Sequence, residues 1–266
     1  MNKETIESYI IDILIKSPLP RLSIVRKAMK QKSVTKEAVY KSLRLLLMRE
    51  VVVKSGKNIS LSNQWIINMA KKWQEAEARY IGKTNIMMLG EKSSVVYTCK
   101  TIDQIDSLWN HAILDISYTL HSKTTLLLYA PHYWFPLIRG NSEHSLIKTL
   151  SSRGHRWLQL AGGENPIDKN LIKYDSLKGL EYYASKLKEN KYLNILGDYI
   201  IEVTLDKKAS AFIDAWYKTH EKINEDAISA LQKVLAIKGT YKIKIYKNQN
   251  KATFYKKMFS KYFLIK

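Results

Sequence analysis

The sequence predicts an α/β protein with a small helical module at its amino end and an α/β sandwich domain with a mixed sheet after it. Three observations support this fold class. Three short helical patterns and a glycine-centred pair of strands fill residues 1–63, one long helical pattern spans residues 64–81, and strand and helix patterns alternate over residues 82–266. We therefore expect two folded domains joined by a helix.

The first two helices are predicted by apolar spacing. Between residues 6 and 14, apolar side chains recur three and four residues apart and form one stripe: Ile6, Tyr9, Ile10, Ile13 and Leu14. The two prolines of residues 17–20 end this helix, because proline cannot continue it. A second short helix follows, and we expect Leu22, Val25 and Met29 to form its buried face.

The third helix is predicted over residues 36–50, with Thr35 as its N-cap. Its expected buried stripe consists of Val39, Leu43, Leu46 and Leu47. Two short strands, at residues 51–54 and 58–61, then flank a glycine turn. Three helices followed by a β-hairpin is the order of a winged helix-turn-helix module, which we place at residues 1–63.

The charged positions of this module indicate DNA binding. Helix-turn-helix proteins place the start of their second motif helix in the major groove, where side chains reach base edges. At that place the sequence offers Thr35, Lys36, Tyr40, Lys41 and Arg44. The hairpin offers Lys54 and Lys57, which we expect to contact phosphate and to position the module. Many winged helices bind protein instead, and this alternative stays open.

The helical pattern at residues 64–81 has an apolar seam. Its side chains alternate three and four residues apart: Ile66, Met69, Trp73, Ala76 and Tyr80. This is the spacing at which two helices pair. The seam predicts either a homodimer, which suits a protein that reads paired half-sites, or packing against the chain itself.

Over residues 82–266, alternating strands and helices predict an α/β effector or scaffold domain. Strands are expected at residues 86–89, 94–99, 124–130, 156–161, 192–196 and 199–204. Helices are expected at residues 102–120, 142–153, 177–188 and 207–220. This order favours a mixed or parallel sheet, with ligand sites at the strand ends.

The carboxyl-terminal segment, residues 239–266, is both basic and aromatic. Apolar residues at 241, 243 and 245 alternate with Lys242 and Lys244 and predict a strand, which a closing helix follows. The segment contains eight lysines and no acidic residue. We expect its apolar side chains to pack on the domain and its lysines either to meet an anion, such as nucleic acid, or to face solvent.

The chain carries 44 Lys and Arg against 24 Asp and Glu, a formal charge of +20, and its pI is about 9.7. Such a surplus favours partners with fixed negative charge, nucleic acid first and an anionic membrane surface second. Acidic residues interrupt the first apolar helix and no apolar run approaches a membrane span, so we expect a soluble protein without a signal peptide. The single cysteine, Cys99, excludes an internal disulfide framework and fits a cytoplasmic location.

Catalytic motifs are incomplete. Gly82-Lys83-Thr84 lacks the glycine that a phosphate-binding loop has five residues earlier, and there is no GxSxG motif. No two of the six histidines have the spacing of a helical zinc site. His132 lies in an aromatic loop, which we expect to cover the sheet or contact a second copy in preference to lining a ligand pocket. We expect no metal, no cofactor and no enzyme activity.

Four stretches of the second domain resemble the TrmB-type transcription regulators, which are largely archaeal: residues 124–130, 151–154, 156–161 and 196–203. The likeness is one of order and pattern, and with the amino-terminal module and the linking helix it covers residues 5–220. The resemblance implies a winged helix joined through a coiled segment to a phospholipase-D-like α/β domain. A small-molecule effector of unknown identity is a further expectation.

The resemblance also raises a catalytic question, because active phospholipase-D-type enzymes carry the motif H-x-K-x(4)-D. His121 and Lys123 begin it, but Leu128 stands at the aspartate position. His220 and Lys222 begin it again, with Ala227 at that position. Because the chemistry needs the histidine, the lysine and a carboxylate together, we expect a catalytically silent domain.

The sequence thus predicts a dimeric, sequence-specific transcription regulator that binds double-stranded DNA. We expect residues 36–50 to read the major groove and the hairpin to contact phosphates. One alternative is a nucleic-acid-processing enzyme of phospholipase-D-like type. Another is an RNA-binding protein, because positive charge alone does not distinguish the two nucleic acids.

Overall fold

The computed structural model describes residues 5–80, 86, 88–91, 93–163, 165–171, 180–185, 187 and 191–265. The chain divides into two compact units, Met1–Arg79 and Tyr80–Lys266, and each has a hydrophobic core of its own. Among the described helices none is long and apolar enough to cross a membrane.

Helices and three short strands make up the described part of the first unit. In chain order the elements are α1 (Ile6–Lys16), β1 (Leu19–Pro20), α2 (Arg21–Lys32), α3 (Lys36–Met48), β2 (Val52–Ser55), β3 (Asn58–Leu61) and α4 (Asn63–Tyr80). The strands pair antiparallel in the order β1-β3-β2. Helices α1, α2 and α3 share one core with this sheet.

Local signals set the helix ends in this unit. Thr5 and Thr35 cap α1 and α3, and each hydroxyl accepts a hydrogen bond from the backbone N–H three residues later, at 3.1 and 3.2 Å. Ser33, just after α2, has a left-handed backbone (φ 50°), which ends that helix. Helix α3 ends at Met48, two residues before the predicted end, and Glu50 (φ 57°) turns the chain towards β2.

The core of the first unit confirms most of the predicted stripes of α1 and α3. The buried side chains of these two helices include Ile10, Leu14, Val39, Leu43 and Leu46. The prediction that Leu47 is buried is wrong, since 38% of this residue is exposed. Leu47 lies about 100° around the helix from Leu46, at the margin of the buried stripe.

The predicted buried face of α2 is also wrong. The buried residues are Ile24, Val25 and Ala28, whereas Leu22 and Met29 are exposed. Apolar side chains extend over about 160° of this helix, so two overlapping faces both have helical spacing. Packing against α1 and α3 selects one of them.

The second unit is an α/β structure built on a mixed sheet. Its described elements are β4 (Ser94–Cys99), α5 (Ile102–Thr119), β5 (Thr125–Ala130), α6 (Phe135–Ser152), β6 (Arg156–Ala161), α7 (Pro166–Asn170), β7 (Leu180–Ala184), β8 (Tyr192–Leu196), β9 (Tyr199–Thr204), α8 (Lys207–Thr219), α9 (Glu225–Gln232), β10 (Tyr241–Lys247) and α10 (Gln249–Phe259). In the described part of the chain the strand order is β4-β10-β9-β8-β5-β6-β7. Strand β6 runs parallel to β5 and β7, and the other neighbours are antiparallel, which confirms the predicted mixed sheet.

Helices cover both faces of this sheet. Helices α5, α6, α8 and α9 pack on one face, where Ile243 of β10 points into the core. Helix α10 packs on the other face, with Phe259 against a cluster that includes Leu160. Burial therefore alternates along β10, and Lys242 and Lys244 stay exposed on the face that carries α10.

Two predicted elements of this unit are wrong. Part of the helix predicted at residues 177–188 is instead the strand β7, which pairs parallel with β6. Its apolar residues fit a period of two as well as a helical period, and pairing with β6 decides between them. The second wrong element is the strand predicted at residues 86–89, because Ile86, Met88 and Leu89 do not belong to any strand. Met87 lies outside the described residues, as does the Gly82-Lys83-Thr84 segment.

Candidate nucleic-acid interface

The predicted contact residues of α3 lie on its outer side. Lys36, Lys41 and Arg44 are exposed, and Tyr40 is partly buried beside them. At 100° per residue these four side chains fall within about 140° of the helix circumference, outside the buried stripe. We call these four residues the α3 face. Glu37 is an exposed acidic residue among them.

Thr35 is the N-cap of α3 and acts through its side chain. Its Oγ1 accepts a hydrogen bond from the N–H of Ala38 at 3.2 Å, so the hydroxyl already has a partner in the free protein. Because Thr35 caps the helix, Lys36 is its first residue, and the exposed side chains of α3 begin there.

Tyr40 lies between two cations. The Arg21 guanidinium carbon is 4.3 Å from the centre of the Tyr40 ring, and the Lys36 ammonium nitrogen is 5.8 Å from it. Both separations are within the range of cation–π attraction. Arg21 is not among the predicted contact residues, because a contact between the first residue of α2 and the middle of α3 has no signature in local spacing.

The hairpin of β2 and β3 exposes both of its predicted contact lysines. Lys54 is opposite Ile59 in the ladder, and Lys57 lies in the loop that joins the two strands. Gly56 precedes Lys57 in this loop with φ 60°, a left-handed conformation that glycine adopts without a steric penalty. The hairpin follows α3 directly in the chain. A hydrogen bond from the Val51 N–H to the Leu46 carbonyl, at 2.9 Å, connects the start of the hairpin to the last turn of α3.

The second unit brings together a histidine and two carboxylates that are far apart in the sequence. His132 follows β5, and its Nδ1 is 2.7 Å from Asp168 Oδ2 while its Nε2 is 3.7 Å from Asp214 Oδ1. Its ring stacks on Tyr217 with the centroids 4.0 Å apart. Asp168 is buried, and Gly163 leaves space for its carboxylate, because a Cβ at that position would overlap it.

His132 and Asp214 line a cleft of about 430 Å³ at the carboxyl end of β5, together with Lys207 and Ser210 of α8. The other aromatic residues of the loop, at positions 133–135, are buried in the core. They therefore pack in the core on the sheet, whereas His132 itself borders the cleft.

A buried acidic pair consists of Asp106 on α5 and Glu143 on α6. Burial raises the pKa of Asp106 to about 6 and that of Glu143 to about 7. The Tyr133 hydroxyl donates a hydrogen bond to Glu143 Oε2 at 3.0 Å. The two carboxyl groups therefore titrate near neutral pH, well above the usual range of such groups.

The two incomplete catalytic motifs lie far apart. The His121 carbonyl, which precedes β5, accepts a hydrogen bond from the Thr124 N–H at 3.1 Å. The His220 carbonyl accepts one from the side-chain amide of Asn165 at 3.2 Å, four residues after β6. Because β5 and β6 run parallel, the two histidines lie at opposite ends of these strands and do not form one site.

No protein-family model matches the sequence, and no curated protein matches it. The solved structures that match include two whose match covers most of the chain. One is TrmBL2, an archaeal chromatin protein with a novel mode of DNA binding, at 13% identity and a TM-score of 0.38 over 97% of this chain and 91% of that one. The other is CalO1, a methyltransferase in calicheamicin biosynthesis in its SAH-bound form, at 9% identity and a TM-score of 0.26 over 91% of each chain.

Proposed function

We propose that the protein is a winged helix-turn-helix transcription regulator that binds double-stranded DNA and reads sequence with α3. The α3 face carries this proposal: three exposed cations and an aromatic ring project from the helix, and the buried stripe on the opposite side holds it in the core. Side chains so placed can reach base edges when the helix lies in the major groove.

The arrangement of the first unit supports the winged-helix assignment. Three helices pack with a three-stranded antiparallel sheet, and the β2–β3 hairpin comes directly after α3. In this class the hairpin lies beside the recognition helix and contacts the sugar–phosphate backbone. Lys54 and Lys57 are the residues to which we assign that role.

The protein also acts, we propose, as a homodimer through α4. The predicted seam of this helix is largely open to solvent, with Ile66 45%, Trp73 72% and Tyr80 70% exposed. The spacing of this stripe is the one at which two helices pair, so a second copy is the occupant that we assign. A two-fold dimer would then read paired half-sites.

The second unit serves in this proposal as an effector or scaffold unit without catalysis. The two incomplete motifs lie at opposite ends of β5 and β6, which weighs against a phospholipase-D-type nuclease. The cleft beside His132 has the size for a small molecule, and we place the effector there.

Selection of bound sequences from a random duplex pool tests the proposed function. We expect enrichment of one motif with two-fold symmetry, and a complex that contains two protein chains. Structured RNA added at fixed salt should compete less well than the selected duplex. Absence of any enriched motif, or stronger competition by RNA, would contradict the proposal.

A further inference from the structure

One end of the large sheet is left open on the face that carries α10. The core beneath α10 includes residues of β5, β6, β8 and β9, but among the described residues β10 contributes only Tyr246 to it and β4 contributes none. Lys242 and Lys244 of β10 project from this uncovered end and are exposed.

Strand register shows which residues surround these lysines. Lys242 lies between Thr98 of β4 and Thr204 of β9. Lys244 lies between Val96 of β4 and Glu202 of β9. Directly opposite residues of an antiparallel pair project from the same face, so this row forms one continuous surface. We call the exposed members the basic strip: Lys242, Lys244, Val96, Thr98 and Thr204.

The acidic neighbour of the strip is already neutralised. Glu202 accepts hydrogen bonds from Lys191 at 2.8 Å, Lys251 at 2.9 Å and the Tyr246 hydroxyl at 2.6 Å. These donors, acting against the effect of burial, hold the pKa of Glu202 at about 2. Its carboxylate is thus shared by two other cations although it lies opposite Lys244.

The two strip lysines consequently keep their charge available. Within the described residues neither Lys242 nor Lys244 has an acidic partner at ion-pair distance. Lys244 has its ammonium nitrogen 5.3 Å from the centre of the Tyr246 ring, which leaves its hydrogen-bond donors free for an anion. Lys251, which binds Glu202, adds a further positive charge at the border of the strip.

We propose that the basic strip binds the phosphate backbone of duplex DNA, as a second contact surface separate from the α3 face. Lys242 and Lys244 are two strand residues apart, about 6.8 Å. The phosphates of one DNA strand rise by about 3.4 Å each along the helix axis, so the two lysines span an axial length that holds about two phosphates of that strand. The hydroxyls of Thr98 and Thr204 are hydrogen-bond donors of the kind that contact phosphate oxygens. The inference rests on the proposed DNA binding and assigns it a contact in the second unit.

The chemistry of the strip favours a nucleic-acid backbone over an anionic membrane. Peripheral membrane binding combines basic residues with a buried apolar face, whereas Val96 is the large apolar residue of the strip. A row of lysine and threonine offers charge and hydrogen bonds but no side chain to insert between acyl chains or bases. The contact should therefore be independent of DNA sequence.

Salt-dependent binding of the full chain to a short duplex of random sequence tests this proposal. The variant is Lys242→Ala with Lys244→Ala, and the matched control is Lys222→Ala with Lys233→Ala, which removes the same charge among exposed residues around α9 on the opposite layer. Each lost phosphate contact lowers the slope of log affinity against log salt by about 0.9. Between 50 and 200 mM salt, the strip variant should therefore lose roughly tenfold less affinity than the unmodified protein.

The control pair should keep the original slope, and Lys242→Arg with Lys244→Arg should restore it in the strip. Thermal melting verifies that each variant is folded. Equal slopes in the strip and control variants would overturn the inference, as would a strip variant that loses binding only to phosphatidylserine vesicles. If the strip variant has the same salt slope as the control while α3 variants lose their preference for the selected site, the inference about the strip is wrong and the proposed function is supported. If the unmodified chain binds no duplex, both fail.

Discussion

The guanidinium of Arg21 lies over the ring of Tyr40, with its central carbon 4.3 Å from the ring centre, so that the first residue of α2 contacts the middle of α3. Lys36 approaches the same ring at 5.8 Å. The pair joins the two helices of the proposed DNA-binding motif at the surface that would face the duplex. Their relative orientation therefore depends partly on an exposed cation–π contact.

A double-mutant cycle should detect this contact. Tyr40→Leu combined with Arg21→Gln is expected to show a coupling free energy of about 0.5–1 kcal/mol in the stability of the protein, because exposed cation–π pairs have that strength. Tyr40→Phe, which keeps the ring, should retain the coupling. Replacing Arg21→Gln by Arg26→Gln on the same helix gives the control cycle, in which no coupling is expected. Equal coupling in both cycles would contradict the assignment.

Substitutions on the α3 face should separate base reading from phosphate contact. Arg44→Ala and Lys41→Ala are expected to weaken binding to a selected site by about 1–3 kcal/mol, and to weaken binding to random duplex less. Lys57→Ala should weaken both alike, since a phosphate contact carries no sequence information. Fluorescence anisotropy on the two duplexes measures the difference. Equal losses for all three variants on both duplexes would exclude base reading by α3.

Removal of the α3 cap should lower stability. Thr35→Ala leaves the Ala38 N–H without its side-chain acceptor and is expected to cost about 1 kcal/mol of unfolding free energy. Thr35→Ser keeps an acceptor oxygen at the same place and serves as the control. Urea denaturation measures both variants. A Thr35→Ala protein as stable as the unmodified chain would show that the cap contributes nothing.

The seam of α4 should determine the oligomeric state. Trp73→Glu introduces a charge on the exposed apolar stripe and is expected to convert a dimer of twice 30.9 kDa into a monomer. Gln74→Glu adds the same charge one position away, off the stripe, and should leave the dimer intact. Sedimentation equilibrium distinguishes the two masses. Dimers in both variants, or a monomeric unmodified chain, would remove α4 from the interface.

Glu143 should make stability fall as the pH rises. Its pKa is about 7 in the folded protein, above that of an unfolded glutamate (about 4.3), so the native state binds the proton more tightly. Ionisation of Glu143 therefore lowers the free energy of unfolding, and this loss is absent below about pH 4.3 and complete above about pH 7. We expect Glu143→Gln to lose less stability than the unmodified protein between pH 5 and 8, by up to about 3 kcal/mol. Urea denaturation at pH 5 and at pH 8 measures the loss. The control is Glu221→Gln at an exposed position, which should lose as much stability between these two pH values as the unmodified protein does.

Features that depend on neighbouring residues are predictable from the sequence. The Thr5 and Thr35 caps hydrogen-bond three residues ahead, and Gly56 supplies the positive φ of its own loop. The alternation along β10 likewise follows from its own residues. These local rules placed most elements and exposed Lys36, Lys41 and Arg44 on one side of α3.

Features that depend on a distant partner were not predictable in this way. The strand β7 fits two periods, and only its pairing with β6 decides between them. His132 meets Asp168 36 residues away, through a loop that has no recognisable motif. Arg21 meets Tyr40 by the packing of two helices, which spacing within either helix does not determine.

The order of amino acids alone determined that this is a strongly cationic α/β chain, where helices α3, α5 and α8 begin, and that Lys36, Lys41 and Arg44 are exposed. Local backbone chemistry and the period of apolar residues are sufficient for those decisions. The tertiary structure decided that Glu202 is neutralised by Lys191 and Lys251, so that Lys242 and Lys244 keep their charge free. That outcome depends on strand register and helix packing, because electrostatic interactions are set by distances in space and not by separation along the chain.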